Sequence, residues 1–191
     1  MKQEKLSLPS DASIITTYRC QMRCKMCNIW KFPTDERKEI TAKDLEKLSP
    51  LKFANVTGGE PFQRRDLEDI VSVLFTKAPR VVISTSGWHY DRIIKLAKKF
   101  PKIGIRVSIE GLSQANDDLR GRPGGFDNGL KVLLKLREIM NKSSKGAGFC
   151  YWGTEWVSFK GDEATNGSSW ENQALFDFNN KAVPALEAFA E

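Results

Sequence analysis

Three cysteines, Cys20, Cys24 and Cys27, sit inside eight residues of the stretch TYRCQMRCKMCNIW. The 191-residue chain has one other cysteine, Cys150, and a single histidine, His89. Thiolates so close together bind soft metals or exchange electrons. In a reducing compartment that reading outranks a structural disulfide. A cubic [4Fe–4S] cluster is ordinarily held by four cysteines. Three would ligate three irons and leave the fourth to something outside the chain. A structural zinc ion takes a closed set of four ligands, which only Cys150 or His89 could complete. A buried, metal-free set of cysteines is the third reading. Met22, Met26 and Trp30 beside them read as packing residues, and His89 as a surface residue opening a helix.

The elements that must position these thiols alternate between two periodicities. ASIITTY (12–18) reads as a strand delivering the chain into the cysteine loop. TAKDLEKLSP (41–50) is a short helix with Thr41 as N-cap and Asp44 in its first turn. FANVTGGEP (53–61) is a strand running into a glycine-rich stop, and 64–78 has apolar residues at helical spacing. RVVISTSG (80–87) is a β-branched strand, 90–100 a helix and IGIRVSIEG (103–111) another strand. The polar stretch SQANDDLRGRPGG (113–125) reads as a loop, and FDNGLKVLLKLREIM (126–140) as an amphipathic helix. Four strand–helix units in a row predict an α/β fold with a parallel sheet.

Composition narrows the function classes. Hydrophobic residues make up 40% and charged residues 28% of the chain, the balance of a water-soluble protein. No apolar run reaches the ~18 residues of a membrane helix, and MKQEKLSLPSD lacks the apolar region of a secretory signal. The expected location is the cytoplasm, away from membranes. The net charge of +6 suggests nucleic acid, but the basic residues lie along helical faces such as KLAKKFPK, as solvated surface does. A seam falls at NKSSKG (141–146). Beyond it basic charge is scarce, and three of the five tryptophans lie in the last 48 residues.

The cysteine spacing, followed about thirty residues on by Gly58, Gly59, Glu60 and Pro61, closely resembles the radical S-adenosylmethionine (SAM) superfamily. The resemblance covers about residues 11–140. It implies a partial parallel (β/α) barrel, with four of the family's six units recognisable. It also implies a [4Fe–4S] cluster on Cys20, Cys24 and Cys27, with the amine and carboxylate of SAM on the open iron. An external electron donor such as flavodoxin or ferredoxin would reduce the cluster, and SAM would be cleaved to methionine and a 5′-deoxyadenosyl radical. The family's second motif is matched by Gly58–Pro61. Glycines there let backbone approach the methionyl amine, and Glu60 is expected to accept a hydrogen bond from that ammonium. Ser84 and Ser86 fall where the family places small polar residues near the cofactor. SIEG resembles its Ser-x-Asp-Gly, with Glu in place of Asp, which makes Ser108 and Glu110 candidates near the carboxylate and ribose. LRGRPGGFD resembles an Arg-Gly element and adds Arg120.

The tail resembles a different family. YWGTEWV and SSWENQALFDF, within about residues 146–190, are similar to the C-terminal end of arabinogalactan endo-β-1,4-galactanases. In those (β/α)8-barrel glycoside hydrolases this is the last strand, its loop and the closing helix. Their two catalytic glutamates lie on earlier strands, so Glu155 and Glu171 read as structural, and Trp152 and Trp156 as packing. Calcium is a further candidate ligand, through oxygens of Asp162, Glu163 and Asn166. The chain therefore reads as a chimera, residues 1–143 a truncated radical SAM core and 144–191 a galactanase-like segment. The alternatives are a carbohydrate-related barrel fragment without catalysis and a nonfunctional hybrid.

Overall fold

The computed structural model of the chain describes residues 8–142. The expectations placed on 144–191, including the strand around Cys150 and the calcium oxygens of Asp162, Glu163 and Asn166, lie outside the described residues. Four strands, β1 (Asp11–Ile15), β2 (Phe53–Thr57), β3 (Arg80–Thr85) and β4 (Gly104–Val107), pair in chain order, each parallel to the next. Parallel neighbours require crossover connections. Helix α1 (Ala42–Leu45) precedes β2, α2 (Leu67–Lys77) joins β2 to β3, and α3 (Tyr90–Lys99) joins β3 to β4. Helices α4 (Ser113–Arg120) and α5 (Gly125–Asn141) follow β4. The parallel α/β arrangement expected from the sequence is present.

Period-two alternation gives the sheet two unlike faces. Ile14, Ala54, Val56, Val81 and Ile83 are buried on one. Leu45 of α1, Leu67, Ile70, Val71 and Leu74 of α2, Ile93 and Leu96 of α3, and Val132 of α5 join them in one core. The other face carries several polar residues beside the apolar Ile15, Phe53 and Val82. Ser13 and Asn55 are register partners, as are Ser84 and Arg106. Asn55 Nδ2 donates to Ser13 Oγ at 3.1 Å, and Ser84 Oγ to Asn55 Oδ1 at 3.4 Å.

Three expectations need correction. Strands β1, β3 and β4 end earlier than their sequence patterns, at Ile15, Thr85 and Val107, although Thr16 N and Ser108 N still donate to Thr57 O and Thr85 O of the neighbouring strands. Helix α1 has its capping box, Thr41 N to Asp44 Oδ2 at 3.0 Å and Asp44 N to Thr41 Oγ1 at 3.3 Å, but only four residues. Its last turn tightens to three-residue spacing ahead of Pro50, with Lys47 N on Asp44 O and Leu48 N on Leu45 O. The stretch read as a loop contains α4. This helix has almost no apolar face, only Asn116 being buried, so no periodicity announces it. Its own polar side chains and a left-handed Gly121 (φ 63°) hold it instead. Asn116 Oδ1 accepts from Glu110 N at 2.9 Å. Asp117 takes Gly124 N at 2.5 Å and Phe126 N at 2.8 Å at the start of α5.

Candidate cluster and cofactor site

The cysteine loop leaves β1 and runs across the ends of β2, β3 and α4. Cys20, Cys24 and Cys27 are free, half-buried thiols. On one side the loop is zipped to the Gly58–Pro61 turn: Gly59 N donates to Thr17 O at 2.7 Å and Glu60 N to Arg19 O at 2.9 Å. On the other it is bonded to α4, Arg23 N to Arg120 O at 3.0 Å and Lys25 N to Leu119 O at 2.8 Å. Arg122 Nη1 adds a bond to Gln21 O at 3.0 Å while stacking on Trp88. Trp30 Nε1 donates to Cys24 O at 3.4 Å. Met22 packs as expected, 1% exposed; Met26 does not, at 46%.

This packing explains the two glycines. Gly58 has φ of 135°, and a Cβ there would lie 2.3 Å from Thr17 O. A Cβ on Gly59 would lie 2.3 Å from Arg19 O. Close backbone approach is what the sequence predicts at these positions. The approaching group in this structure is the cysteine loop itself.

Glu60 is 0% exposed. Its carboxylate accepts from Thr85 Oγ1 at 2.8 Å, Ser86 N at 2.9 Å, Ser86 Oγ at 2.5 Å and Phe62 N at 3.2 Å. With these protein donors on its oxygens, Glu60 ties the end of β2 to the end of β3. Pro61 opens the short 3-10 turn Pro61–Gln63 and is buried. Ser86 therefore belongs to this bracket, which Gln21 and Gln63 extend: Gln21 Nε2 donates to Ser86 Oγ and Gln63 Nε2 to Gln21 Oε1, both at 3.0 Å. Ser84 lies on the sheet face of Asn55, and Ser108 N caps β3 by donating to Thr85 O at 3.0 Å.

Glu110 and Arg120, ten residues apart, form an ion pair of 2.6 Å with both side chains largely buried. Arg120 Nε is buried with no hydrogen-bond partner among the described residues, so it is a donor without an acceptor. Burial pushes the Cys24 thiol up, and the positive charge of Arg120 is the first influence opposing it. Burial pushes Cys20 up to about 11, with a Met22 backbone hydrogen bond working the other way. Both thiols must release protons to ligate a metal. An unpaired guanidinium N–H beside Cys24 fits an anionic ligand held next to a cluster.

Among the described residues no three Cys, His, Asp or Glu side chains converge as on a single ion, and Cys150, one of the two residues that could complete a zinc set, lies outside them. His89 stands at the head of α3 as expected, half-buried rather than fully exposed. Its Nε2 is buried without a partner among the described residues, and burial lowers its pKa.

The sequence did not reveal Glu39. This buried carboxylate binds Arg19 Nε at 2.9 Å, Arg19 Nη2 at 2.8 Å and Arg64 Nη1 at 3.3 Å at the base of the loop.

Residues 14–150, well over half of the chain, match the Radical SAM superfamily. The chain belongs to the radical SAM superfamily. Among its relatives, Fe-coproporphyrin III synthase of Methanosarcina barkeri is 32% identical over 133 residues, covering 64% of this chain and 32% of that one. Sporulation killing factor maturation protein SkfB of Bacillus subtilis is 26% identical over 137 residues, covering 69% and 33%. The crystal structure of Streptococcus suis SuiB bound to S-adenosylmethionine shares the radical SAM fold at a TM-score of 0.60 and 21% identity, covering 70% of this chain and 32% of SuiB. The chain thus spans about a third of the length of these relatives. Residues 112–189 match Glycosyl hydrolase family 53, less than half of the chain and overlapping the first match. Among the described residues no helix is long and apolar enough to cross a membrane.

Proposed function

We propose that this chain is the cofactor-binding core of a radical SAM enzyme, with a [4Fe–4S] cluster on Cys20, Cys24 and Cys27 and SAM on the open iron. One observation supports this most. The loop carrying the three thiols is bonded to the Gly58–Pro61 turn on one side and to α4, with Arg120 and Glu110, on the other. When bound and reduced, the cluster supplies the electron that cleaves SAM to methionine and a 5′-deoxyadenosyl radical.

The chain's own residues bind and orient. Arg120, with a free buried N–H, is suited to the methionyl carboxylate. Glu110, held by Arg120, is suited to ribose hydroxyls. Gly58 and Gly59 let their turn pack directly against the cysteine loop, which sets the turn beside the proposed place of the methionyl amine, and Ser84 and Ser108 lie at the adjacent strand ends. Glu60 acts through the turn it fixes. The electron comes from a flavodoxin or ferredoxin in the cytoplasm. The two relatives are named for unlike tasks, Fe-coproporphyrin III synthesis and sporulation killing factor maturation, so no substrate class passes to this chain. Dithionite reduction of the cluster-loaded protein with SAM, followed by chromatography, tests the reading. Formation of 5′-deoxyadenosine is expected; its absence from fully loaded protein overturns it.

For residues 144–191 we propose a galactanase-like segment without catalysis, joined to a core of 1–143. The match of 112–189 to Glycosyl hydrolase family 53 supports this. Retaining hydrolysis needs two flanking carboxylates, and the tail's Glu155 and Glu171 are not the family's pair. Release of galacto-oligosaccharides from galactan would contradict it.

A further inference from the structure

Glu39 closes the cysteine loop at both of its ends. Its side chain is 1% exposed. Oε1 accepts from the Thr17 and Thr34 hydroxyls, both at 2.5 Å, and from Arg19 Nε at 2.9 Å. Oε2 accepts from Arg19 Nη2 at 2.8 Å and Arg64 Nη1 at 3.3 Å. Thr17 precedes the loop and Thr34 follows its last cysteine, so one carboxylate oxygen joins the two mouths. Both hydroxyls also accept backbone N–H groups of the loop entrance, Arg19 N on Thr17 and Tyr18 N on Thr34, each at 3.0 Å. Arg19 is the residue before Cys20. Arg64, in turn, donates to Thr16 O at 2.6 Å and to Asp66 at 2.9 and 2.6 Å, which anchors the clamp at the end of β1.

A buried ionic network is a poor source of net stability, since apolar replacements of similar volume often do as well. A fully satisfied network does fix geometry. We propose that Glu39 is a positioning residue for the iron–sulfur cluster: it sets the separation of the loop ends and the placement of Arg19 and hence Cys20. This rests on the cluster reading above. The other charge facing the clamp is Glu36, 3.5 Å from Arg19 Nη1 and exposed.

Two variants separate positioning from folding. Thr34→Val removes one hydroxyl donor and keeps every charge; Glu39→Gln removes the central charge. Each is compared with the wild-type chain in tryptic cleavage at Arg23, Lys25 and Lys31 without metal. After anaerobic reconstitution, iron loss to a chelator and reduction midpoint potential are measured per loaded cluster. Losing a hydrogen bond to a buried carboxylate should raise local opening about tenfold. Thr34→Val is therefore expected to be cleaved at those sites and to lose iron about tenfold faster, with a shifted potential and an almost unchanged urea midpoint. Glu39→Gln should show larger changes. Variants that are less stable but keep wild-type loop cleavage, iron loss and potential would overturn the proposal. A wild-type chain that takes up no iron would contradict the cluster reading instead, and unchanged cleavage of the metal-free loop would then still refute the clamp.

Discussion

On the covered face of the sheet, Val56, Ile70, Leu74 and Ile83 are shut off from water and held by contact with one another. In the cysteine loop, between Tyr18 and Lys38, Met22 alone among the side chains is buried to that degree. The loop keeps its place through hydrogen bonds to Thr17, Glu39, the Gly58–Pro61 turn and α4. Apolar burial is non-directional and cooperative across the core. Hydrogen bonds are directional and modest in net energy. The fold's stability and the geometry of its site therefore have different physical sources, and mutations should move one without the other.

The strongest test of that separation is a cavity in the covered face. Leu74→Ala should cost ~2–5 kcal/mol in urea unfolding, yet the folded fraction should take up as much iron as the wild type. Gly59→Ala should act across the boundary. Its Cβ would meet Arg19 O, so it should cost ~1–3 kcal/mol through strain and also lower iron uptake by displacing the residue before Cys20. Replacing Cys20, Cys24 or Cys27 by Ala should abolish cluster assembly, read as loss of the brown absorbance, while the metal-free urea midpoint moves less than in either variant above. Cys150→Ala should keep the cluster; its loss would mean a fourth protein ligand and no open iron.

The smallest effect expected is one of pH. Burial alone would raise the Glu39 carboxyl, but hydrogen bonds from Arg19, Thr17 and Thr34 outweigh it and hold it at about 2, against 4.5 when unfolded. A depressed folded value contributes stability that is complete above pH 4.5 and is lost as pH falls through 2. The stability difference between the wild type and Glu39→Gln should accordingly shrink across that window in urea titrations. A difference that stays constant from pH 5 to 2 would show that the charge of Glu39 contributes nothing.

What could be read from the sequence follows the same division. The helix over 126–140 and the strand alternation at 53–57 were legible because burial writes a period into the chain. The cysteine spacing and Gly58–Pro61 were legible because chemistry restricts residue type. Helix α4 was hidden, since its supports are Asn116, Asp117 and Gly121 rather than an apolar stripe. Glu39 was hidden for a related reason. It ends the charge run DERKE, in which Asp35, Glu36, Arg37 and Lys38 are exposed, and only the fold turns its carboxylate inward. Glu60 was found by its motif, but its partners Thr85 and Ser86 come from another strand.

The central claim is that three thiolates on this loop hold a cluster with one iron open to SAM. Anaerobic reconstitution followed by iron analysis and electron paramagnetic resonance of the reduced protein, with and without SAM, tests it most directly. The account predicts roughly four irons per chain and a spectrum that changes when SAM is added. A colourless protein carrying zinc, or a cluster whose spectrum ignores SAM, would contradict it.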